Sequence, residues 1–226
     1  MKLLWVFCLL PAAVSSLSTG RAAFVRGVAA AGAGVVGMGA AGTKVLADPG
    51  DAYLVRRGAT VTFQGGVTAA SAFQLRVALE EAADEDSEFV VLNVTSGGGS
   101  LMDAVGVTET IKGLRKRVVS QVVGYAASAA SLITASAAVR VLPPRSSMLV
   151  HQSRTSLEGS EDALWHGMDH LNHWSSVMRD VYIDNSRGKL DEATLDALLR
   201  EEQWLRYQQA YVYGLCDLTE MPSSLP

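Results

Sequence analysis

The chain has 226 residues, a formal net charge of −4 at pH 7 and 49% hydrophobic residues. That length suits one globular domain with a substantial core. The slight acidic excess and the lack of a long basic tract argue against a nucleic-acid-binding protein. There are two cysteines, Cys8 and Cys216, and the first falls in a segment that reads as a leader. We therefore expect neither an internal disulfide nor a thiolate metal cluster in the mature chain.

The first residues have the pattern of a secretory signal peptide. Lys2 precedes a short apolar run, Leu3–Leu10, and small residues follow that run. Such a run is too short to span a bilayer. We therefore predict a signal peptide over residues 1–18 and no stable membrane anchor.

Residues 19–50 are a second unusual segment, rich in alanine and glycine. The segment contains basic residues, and the first acidic residue of the whole chain is Asp48. A signal peptide followed by an acid-poor stretch resembles the bipartite leaders of plastids that are reached through the secretory route. This predicts a second targeting segment, with the thylakoid lumen as a conceivable further step. The alternative is plain secretion, with residues 19–50 as a flexible spacer.

Strand and helix signals alternate through residues 51–226, where we find no internal repeat. Two of the strands are continuous apolar runs, as expected of strands covered on both faces. Helices between such strands are crossover connections, so the pattern predicts an α/β fold. In chain order we expect strands over Thr60–Gln64, Phe89–Val94, Val118–Val123, Val139–Leu142 and Ser147–His151, and helices over Ala69–Ala83 (capped by Thr68), Leu101–Leu114, a short stretch from Ser128, Glu161–Asn185 and Asp191–Arg200.

A serine and a histidine are candidates for nucleophilic catalysis. Ser128 opens a predicted helix after a buried strand, and His151 closes another strand. A hydroxyl group needs a neighbouring imidazole to take its proton before it becomes a good nucleophile. Serine is also a common N-cap residue, and a histidine among apolar neighbours is often a packed core residue. Both interpretations stay open at this point.

A run of glycines, Thr95–Ser100, follows one buried strand and precedes a helix. It lacks the Gly-Lys-Ser/Thr ending of a phosphate loop and the spaced glycines of a dinucleotide fingerprint. Glycine lets the backbone approach a ligand closely and present its amides. We therefore interpret the run as a donor of oxyanion hydrogen bonds or as an edge that binds a peptide substrate.

Three further histidines, His166, His170 and His173, lie three to four residues apart in the long predicted helix. Such spacing places them near one face. No third ligand or matching glutamate motif accompanies them, so we predict a solvated or partner-facing patch rather than a metal site.

Three blocks of sequence resemble the proteolytic subunit of the Clp protease. Asn93–Ser100 is similar to the family's Asn-Ser-Pro-Gly-Gly-Ser loop, with glycine in place of proline. Gly124–Ala130 is similar to its nucleophile segment, and Met148–Gln152 to its histidine segment. The order of the blocks matches, as does the separation of 23 positions from Ser128 to His151.

This resemblance extends from about Thr60 to Leu218 and implies a Clp protease-like catalytic domain over residues 51–226. It implies the Clp-protease/crotonase fold, a spiral of repeated β-β-α and βαβ units. It also implies that the long helix, Glu161–Asn185, is a projecting handle.

The resemblance also implies roles for individual residues. Ser128 would be the nucleophile and His151 the general base. The amides of Gly98 or Gly99 and of Ala129 would form the oxyanion hole. Neither a metal nor a cofactor is expected.

The third member of the family's catalytic triad, an aspartate, is the weak point of the resemblance. Counting back without gaps from Trp204 and Gly214 reaches Leu198. Asp196 is two residues away, and we predict that it is the catalytic acid. Glu201 and Glu202 are also near.

The resemblance implies a serine endopeptidase subunit that hydrolyses unfolded polypeptides inside an oligomeric chamber. Its partners would be copies or homologues in a seven-membered ring, a second stacked ring and an AAA+ unfoldase. One alternative is a non-catalytic ring subunit of a plastid Clp complex. Another is an exported relative that needs no unfoldase, and a more distant one is a crotonase-like acyl-CoA enzyme.

Overall fold

The computed structural model describes residues 35–39, 43–48 and 52–224. The predicted signal peptide, residues 1–18, lies outside the described residues. Two short segments of the predicted targeting or spacer region, 19–50, form antiparallel strands, and the rest of that region also lies outside. The targeting signals therefore stay predictions.

Strands and helices alternate along the described residues, as the sequence predicts. The strands are β1 (Val35–Gly39), β2 (Thr43–Asp48), β3 (Ala52–Arg57), β4 (Thr60–Val67), β5 (Val90–Gly99), β6 (Val118–Ala127), β7 (Val139–Val141), β8 (Ser147–Leu149) and β9 (Trp204–Leu205). The helices are α1 (Ala69–Ala83), α2 (Leu101–Gly113), α3 (Ala129–Ala135), α4 (Glu161–Asn185), α5 (Glu192–Glu201) and α6 (Tyr207–Val212).

One sheet contains these strands in the order β1-β2-β3-β4-β5-β6-β8-β9, and β7 pairs with β6. The strands β4, β5 and β6 pair in parallel, and so do β7 and β8 with β6. The helix α1 connects β4 to β5, and α2 connects β5 to β6. This arrangement confirms the predicted α/β fold with crossover helices.

The core lies where the parallel strands meet α1. Val61 and Phe63 alternate into it from β4, and Leu92 enters it from β5. Leu75 and Leu79 of α1, four residues apart on one helix face, cover them. Each of these side chains is almost fully buried, and complete burial of a leucine or phenylalanine contributes about 1.5–3 kcal/mol.

The first helix begins where the sequence predicts. Thr68 accepts a hydrogen bond from the Ser71 amide at 3.2 Å, and its own amide donates to the Ser71 Oγ atom at 2.9 Å. This reciprocal cap satisfies two backbone donors that the helix itself leaves unpaired. It fixes the point at which the chain leaves β4.

Four details of the strands differ from the sequence prediction. The strand β3 precedes the first predicted strand, and the short β9 follows α5. The glycines belong to the last part of β5 rather than to a loop, because β4 pairs with Gly98 and Gly99 and β6 pairs with the preceding Ser96. His151 lies two residues beyond the end of β8 rather than inside that strand.

The long helix α4 has 25 residues with the predicted bounds. Its buried side chains, Met178, Val181 and Tyr182, all belong to the last third of the helix. Trp165, near the start, is 69% exposed. The helix is thus anchored at one end and projects at the other. Within the described part of the chain, no helix has both the length and the hydropathy that a bilayer crossing requires.

A buried ion pair anchors the end of the domain. Arg140 is 2% exposed and donates to the two carboxylate oxygens of Asp217 at 2.8 and 2.9 Å. It also donates to the Gly214 carbonyl oxygen at 2.7 Å, and Arg187 pairs with the same aspartate at 3.0 Å. Burial acts to raise the pKa of Asp217, but the hydrogen bonds and charge of Arg140 outweigh it and lower the pKa.

Candidate active site

Ser128 stands on a strained turn between β6 and α3. Its backbone angles, φ 56° and ψ −130°, are rare for a residue with a side chain. Its amide donates to the Leu149 carbonyl oxygen at 2.9 Å, and its carbonyl accepts from the Ser131 hydroxyl at 2.6 Å. Its side chain makes no capping hydrogen bond, so Ser128 is not an ordinary N-cap. Strain of this kind persists where the surroundings hold it, and it is concentrated at functional sites.

A buried tyrosine supports this turn from α4. The Tyr182 hydroxyl lies 2.7 Å from the Ser131 Oγ atom. Burial raises the pKa of Tyr182, so the phenol stays neutral and serves as a hydrogen-bonding group. Neither Ser131 nor Tyr182 stands out in the sequence as a candidate site residue. Ser131 could have been found from its spacing of three from Ser128, whereas no local signal marks Tyr182.

The end of β5 lies directly against the Ser128 turn. A Cβ atom added at Gly98 would lie 2.6 Å from the Ala127 carbonyl oxygen and 2.7 Å from the Ser128 Cβ atom. One added at Gly99 would overlap the Val67 carbonyl oxygen. Both glycines also have positive φ angles, +90° and +148°. Only bare backbone fits between β4 and this turn.

The predicted oxyanion donors are not equivalent. The amide of Ala129 is the first of α3 and has no carbonyl partner within that helix. The Gly98 amide already donates to the Ser96 Oγ atom at 3.0 Å. Gly99 lines the same cavity as Ser128 and Ala129. Gly99 and Ala129 are therefore better placed than Gly98 to bind a developing oxyanion.

A cavity of about 450 Å³ brings Ser128 and His151 together. The backbone of Gly99 and Ala129 borders it on one side. Most of the remaining wall is apolar, which suits an extended peptide with a hydrophobic side chain. The apolar wall includes Leu132, Leu157, Leu171, Trp174 and Met178.

A backbone hydrogen bond ties the segment that carries His151 to α5. The Gln152 amide donates to the Leu199 carbonyl oxygen at 3.1 Å, which ties this segment to α5. The Nδ1 atom of His151 is buried and has no hydrogen-bond partner among the described residues. His151 is also one of the residues that line the cavity.

Two arginine side chains lie next to Asp196. The carboxylate of Asp196 pairs with Arg179 of α4 and, at 3.8 Å, with Arg200 of its own helix. Leu198, the position reached by ungapped counting, is 3% exposed and belongs to the hydrophobic core. The role of Asp196 as the catalytic acid stays a prediction, because its Oδ1 atom is buried without a hydrogen bond among the described residues although two arginines lie beside the carboxylate.

Glu202 is a carboxylate that pairs with the segment carrying His151. It ends α5 in the left-handed conformation, φ 51°, and both of its carboxylate oxygens accept from Arg154. The hydrogen bonds from Arg154 lower the pKa of Glu202, burial opposes them to a smaller extent, and the charge of Arg154 adds to the lowering. Arg154, which also lines the cavity, was not singled out by the sequence analysis.

The family model for Clp protease matches residues 54–220. The chain belongs to the Clp protease family. It is 24% identical over 143 residues to an ATP-dependent Clp protease proteolytic subunit of Nephroselmis olivacea, covering 62% of this chain and 68% of that one. It is 26% identical over 141 residues to the proteolytic subunit 2 of Leifsonia xyli subsp. xyli, covering 61% and 62%. The corresponding subunit of Bigelowiella natans is 22% identical over 137 residues, covering 60% and 69%.

The family relatives indicate which component of a Clp complex this chain corresponds to. The matching relatives are proteolytic subunits, so this chain is a homologue of the peptidase component of Clp complexes. The α/β sheet with its long helix α4 is the fold that the resemblance implied. The match spans less than two thirds of the Leifsonia relative, 62% of its length.

The helix histidines do not gather into a metal centre. The His170 Nε2 atom accepts a hydrogen bond from the Trp174 indole at 3.1 Å, and His170 lines the cavity. His173 makes an edge contact with the same tryptophan, at 5.5 Å between ring centroids. Among residues 52–224, where side chains are described, no three histidine, cysteine, aspartate or glutamate side chains converge as a metal site.

Proposed function

We propose that this Clp-family chain is a serine endopeptidase subunit. The observation that carries the proposal is the strained turn of Ser128, which opens into one cavity with His151 and the backbone of Gly99 and Ala129. Nucleophile, base and paired amide donors are the components that acyl transfer requires.

In this mechanism the Ser128 Oγ atom attacks the scissile carbonyl carbon while the His151 Nε2 atom takes the hydroxyl proton. The amides of Gly99 and Ala129 donate to the oxygen of the tetrahedral intermediate. The C–N bond then breaks, and His151 returns the proton to the leaving amine. A water molecule then attacks the carbonyl carbon of the acyl-enzyme while His151 takes its proton. His151 returns the proton to the Ser128 Oγ atom as the ester bond breaks.

We further propose that the subunit works in a homo- or hetero-oligomeric ring, with seven subunits in each of two stacked rings. An AAA+ unfoldase would deliver unfolded polypeptides to the chamber. Support comes from the family and from apolar side chains on the projecting part of α4. Leu164, Trp165 and Met168 are 38%, 69% and 43% exposed there. The compartment we propose is a plastid reached through the secretory route, and secretion is the alternative.

A second candidate function is a non-catalytic ring subunit. Two observations favour it, namely the buried leucine at position 198 and the unpaired Nδ1 atom of His151. In serine proteases, loss of the triad acid reduces kcat by about 10⁴. Such a subunit would shape the chamber while intact partners cleave the substrate.

Labelling with a fluorophosphonate probe, which reacts with activated serines, distinguishes the two functions. The assembled wild-type protein is expected to label, and the Ser128→Ala variant is not. Ser153→Ala is the matched control, because Ser153 lines the same cavity but hydrogen-bonds to the Met178 sulfur. A wild-type protein that never labels, alone or mixed with other ring subunits, would support the non-catalytic function. Equal labelling of Ser128→Ala would refute the assignment of the nucleophile.

A further inference from the structure

The imidazole of His170 is a titratable group in the wall of the cavity that the proposed mechanism does not use. Ser128 and His151 line the same cavity. His170 belongs to α4 and lies four residues before Trp174, which also lines the cavity. A side chain that changes its charge near neutral pH, placed in the same cavity as a candidate nucleophile, can alter which substrates bind there.

The hydrogen bond between Trp174 and His170 exists in only one charge state of the imidazole. The indole Nε1–H group donates to the His170 Nε2 atom at 3.1 Å, and the two rings meet edge to face with 6.2 Å between their centroids. An indole can only donate, and an imidazolium has no lone pair with which to accept. His170 is therefore neutral in this arrangement. Uptake of a proton at Nε2 breaks the hydrogen bond and places a positive charge in the cavity wall.

The lining of the cavity favours an anionic group over a cationic one. Among the described residues that line it there is no aspartate or glutamate. Arg154 lines the cavity but is already engaged by the carboxylate of Glu202, which lies outside the lining. Protonated His170 adds a second positive charge to this wall, with an Nε2–H group that can donate to a carboxylate.

The titratable groups that share the cavity with His170 come from two parts of the chain. The segment after β8 contributes Arg154 and His151, and α4 contributes Tyr182, which stays neutral because burial raises its pKa. Among the described residues, the lining parts of α2 and α3 have no charged side chain. Histidine is the side-chain type that changes charge between pH 5 and 8, so within the described lining this change belongs to His170 and His151. Three ionisable neighbours of His170 on α4 lie outside the lining, namely His166, Asp169 and His173.

We propose that His170 is a specificity-determining residue, which in its protonated form lets the cavity bind a polypeptide segment that carries an acidic side chain. In its neutral form His170 accepts from Trp174, and the wall suits a hydrophobic segment. Carboxylate binding and proton uptake favour each other, because the coupling between two ligands is reciprocal. The preference for acidic segments therefore increases as the pH falls. This inference rests on the proposed function, in which the cavity receives a polypeptide.

Peptide binding to the inert Ser128→Ala variant is the direct test. Pairs of fluorescently labelled peptides that differ only by glutamate or glutamine at one position are compared by anisotropy, and that position is moved along the peptide from pair to pair. Glutamate stays ionised from pH 8 to pH 5.5, because its pKa is about 4.3. At the best position, the affinity ratio of glutamate to glutamine peptide is expected to increase about two- to fivefold between pH 8 and pH 5.5, the scale of an exposed ion pair. The increase should shrink in high salt.

Replacement of the histidine identifies the group responsible. His170→Gln in the Ser128→Ala background is expected to remove the increase. His166→Gln is the matched control, because His166 lies one turn earlier on the same helix and outside the cavity lining, and it should keep the increase. A ratio that is equal at both pH values, or an increase that survives in His170→Gln, would overturn the proposal.

The indole N–H resonance of Trp174 provides a readout that needs no substrate. In the Ser128→Ala protein this NMR signal is expected to shift between pH 8 and pH 5.5, because the hydrogen bond to His170 is lost when the imidazole takes up a proton. The indole signal of Trp204, on β9, is the internal control and should stay constant. A Trp174 signal that does not move over this range would overturn the proposed exchange of partners.

Hydrolysis of the same peptide pairs by the assembled wild-type protein separates this inference from the proposed function. An enzyme discriminates between substrates by the ratio of their kcat/KM values. Cleavage of both peptides with a ratio that does not change with pH would overturn the role of His170 and leave the peptidase function standing. Absence of cleavage, with the pH-dependent glutamate preference intact in the Ser128→Ala variant, would contradict the peptidase function and leave the role of His170 in binding standing.

Discussion

The hydroxyl group of Tyr182 lies 2.7 Å from the Oγ atom of Ser131, deep beneath the candidate nucleophile. Ser131 uses its single hydroxyl proton to donate to the Ser128 carbonyl oxygen, so Tyr182 is the donor in the contact between them. Two hydroxyl groups in sequence thus connect α4 to the strained turn. Tyr182 is also one of the residues that line the cavity, and through Ser131 it holds the backbone of Ser128.

Tyr182→Phe is expected to loosen this turn. Loss of one buried hydrogen bond costs about 0.5–1.5 kcal/mol in the free energy of unfolding, which urea denaturation measures. The rate of labelling at Ser128 should fall with it, since the turn is no longer held from below. Tyr211→Phe is the control, because Tyr211 is 45% exposed on α6, and it should change neither quantity. Unchanged labelling by Tyr182→Phe would show that the turn needs no support from α4.

Gly98→Ala is expected to abolish labelling of Ser128. The added methyl group would lie 2.6 Å from the Ala127 carbonyl oxygen and 2.7 Å from the Ser128 Cβ atom, so the turn must move. Overpacking of this kind also destabilises the fold by about 1–3 kcal/mol. Gly97→Ala is the matched control, because a Cβ atom there would meet nothing within 4 Å. Labelling at the wild-type rate in Gly98→Ala would contradict this close packing.

Leu198→Asp restores a carboxylate at the position where the Clp resemblance expects the triad acid. Peptide hydrolysis is expected to increase by roughly tenfold or more, out of the about 10⁴ that the acid contributes in serine proteases. Stability is expected to fall, because position 198 is 3% exposed and burial of a charge is costly. Leu198→Asn supplies a control that is polar and of similar size but uncharged. A gain in the asparagine variant equal to that in the aspartate variant would show that negative charge is not the cause.

Asp217 makes the stability of the domain depend on pH in the acid range. Its pKa is lowered in the folded state, so its contribution is present above the unfolded pKa of about 3.9 and is lost as the pH falls through the folded pKa. Asp217→Asn should flatten the fall in urea midpoint below about pH 4. It should also destabilise the protein by about 3–5 kcal/mol at neutral pH, since it leaves Arg140 buried without its partner.

Asp84→Asn is the control for this effect. Asp84 pairs with Arg115 at 2.6 Å, but both side chains are largely exposed. Exposed pairs contribute about 0–1 kcal/mol, so this variant should keep nearly the wild-type stability. A similar loss in both variants would contradict the special role of burial at Asp217.

The sequence predicts correctly those helix ends that depend on residues close by in the chain. Thr68 was predicted to cap α1 and does so, and the bounds of α4 agree with the prediction. The glycine run was harder, because glycine has a low strand propensity and its strand pairing depends on neighbouring strands. The strand β3 was missed, since its pairing with β4 is visible only in three dimensions.

The candidate site was predictable to the extent that its residues lie in ordered blocks of sequence. Ser128, His151 and Gly99 fall in such blocks and line one cavity. The identity of the acid stays a prediction, because it depends on which partner each carboxylate has in three dimensions. Arg179 reaches Asp196 from a different helix, and Arg154 reaches Glu202 from the segment after β8. Contacts of this kind leave no signal in the spacing of residues along α5.

The helix α4 has an exposed end and a buried end, and the buried end carries Tyr182. A helix that is packed at one end transmits motion from its exposed end to its buried end. A small slide or rotation imposed on the exposed end would pull on the two hydroxyl contacts and alter the angle at which Ser128 meets a peptide bond. A partner that binds the exposed end of α4 therefore influences the position of the Ser128 Oγ atom without entering the cavity.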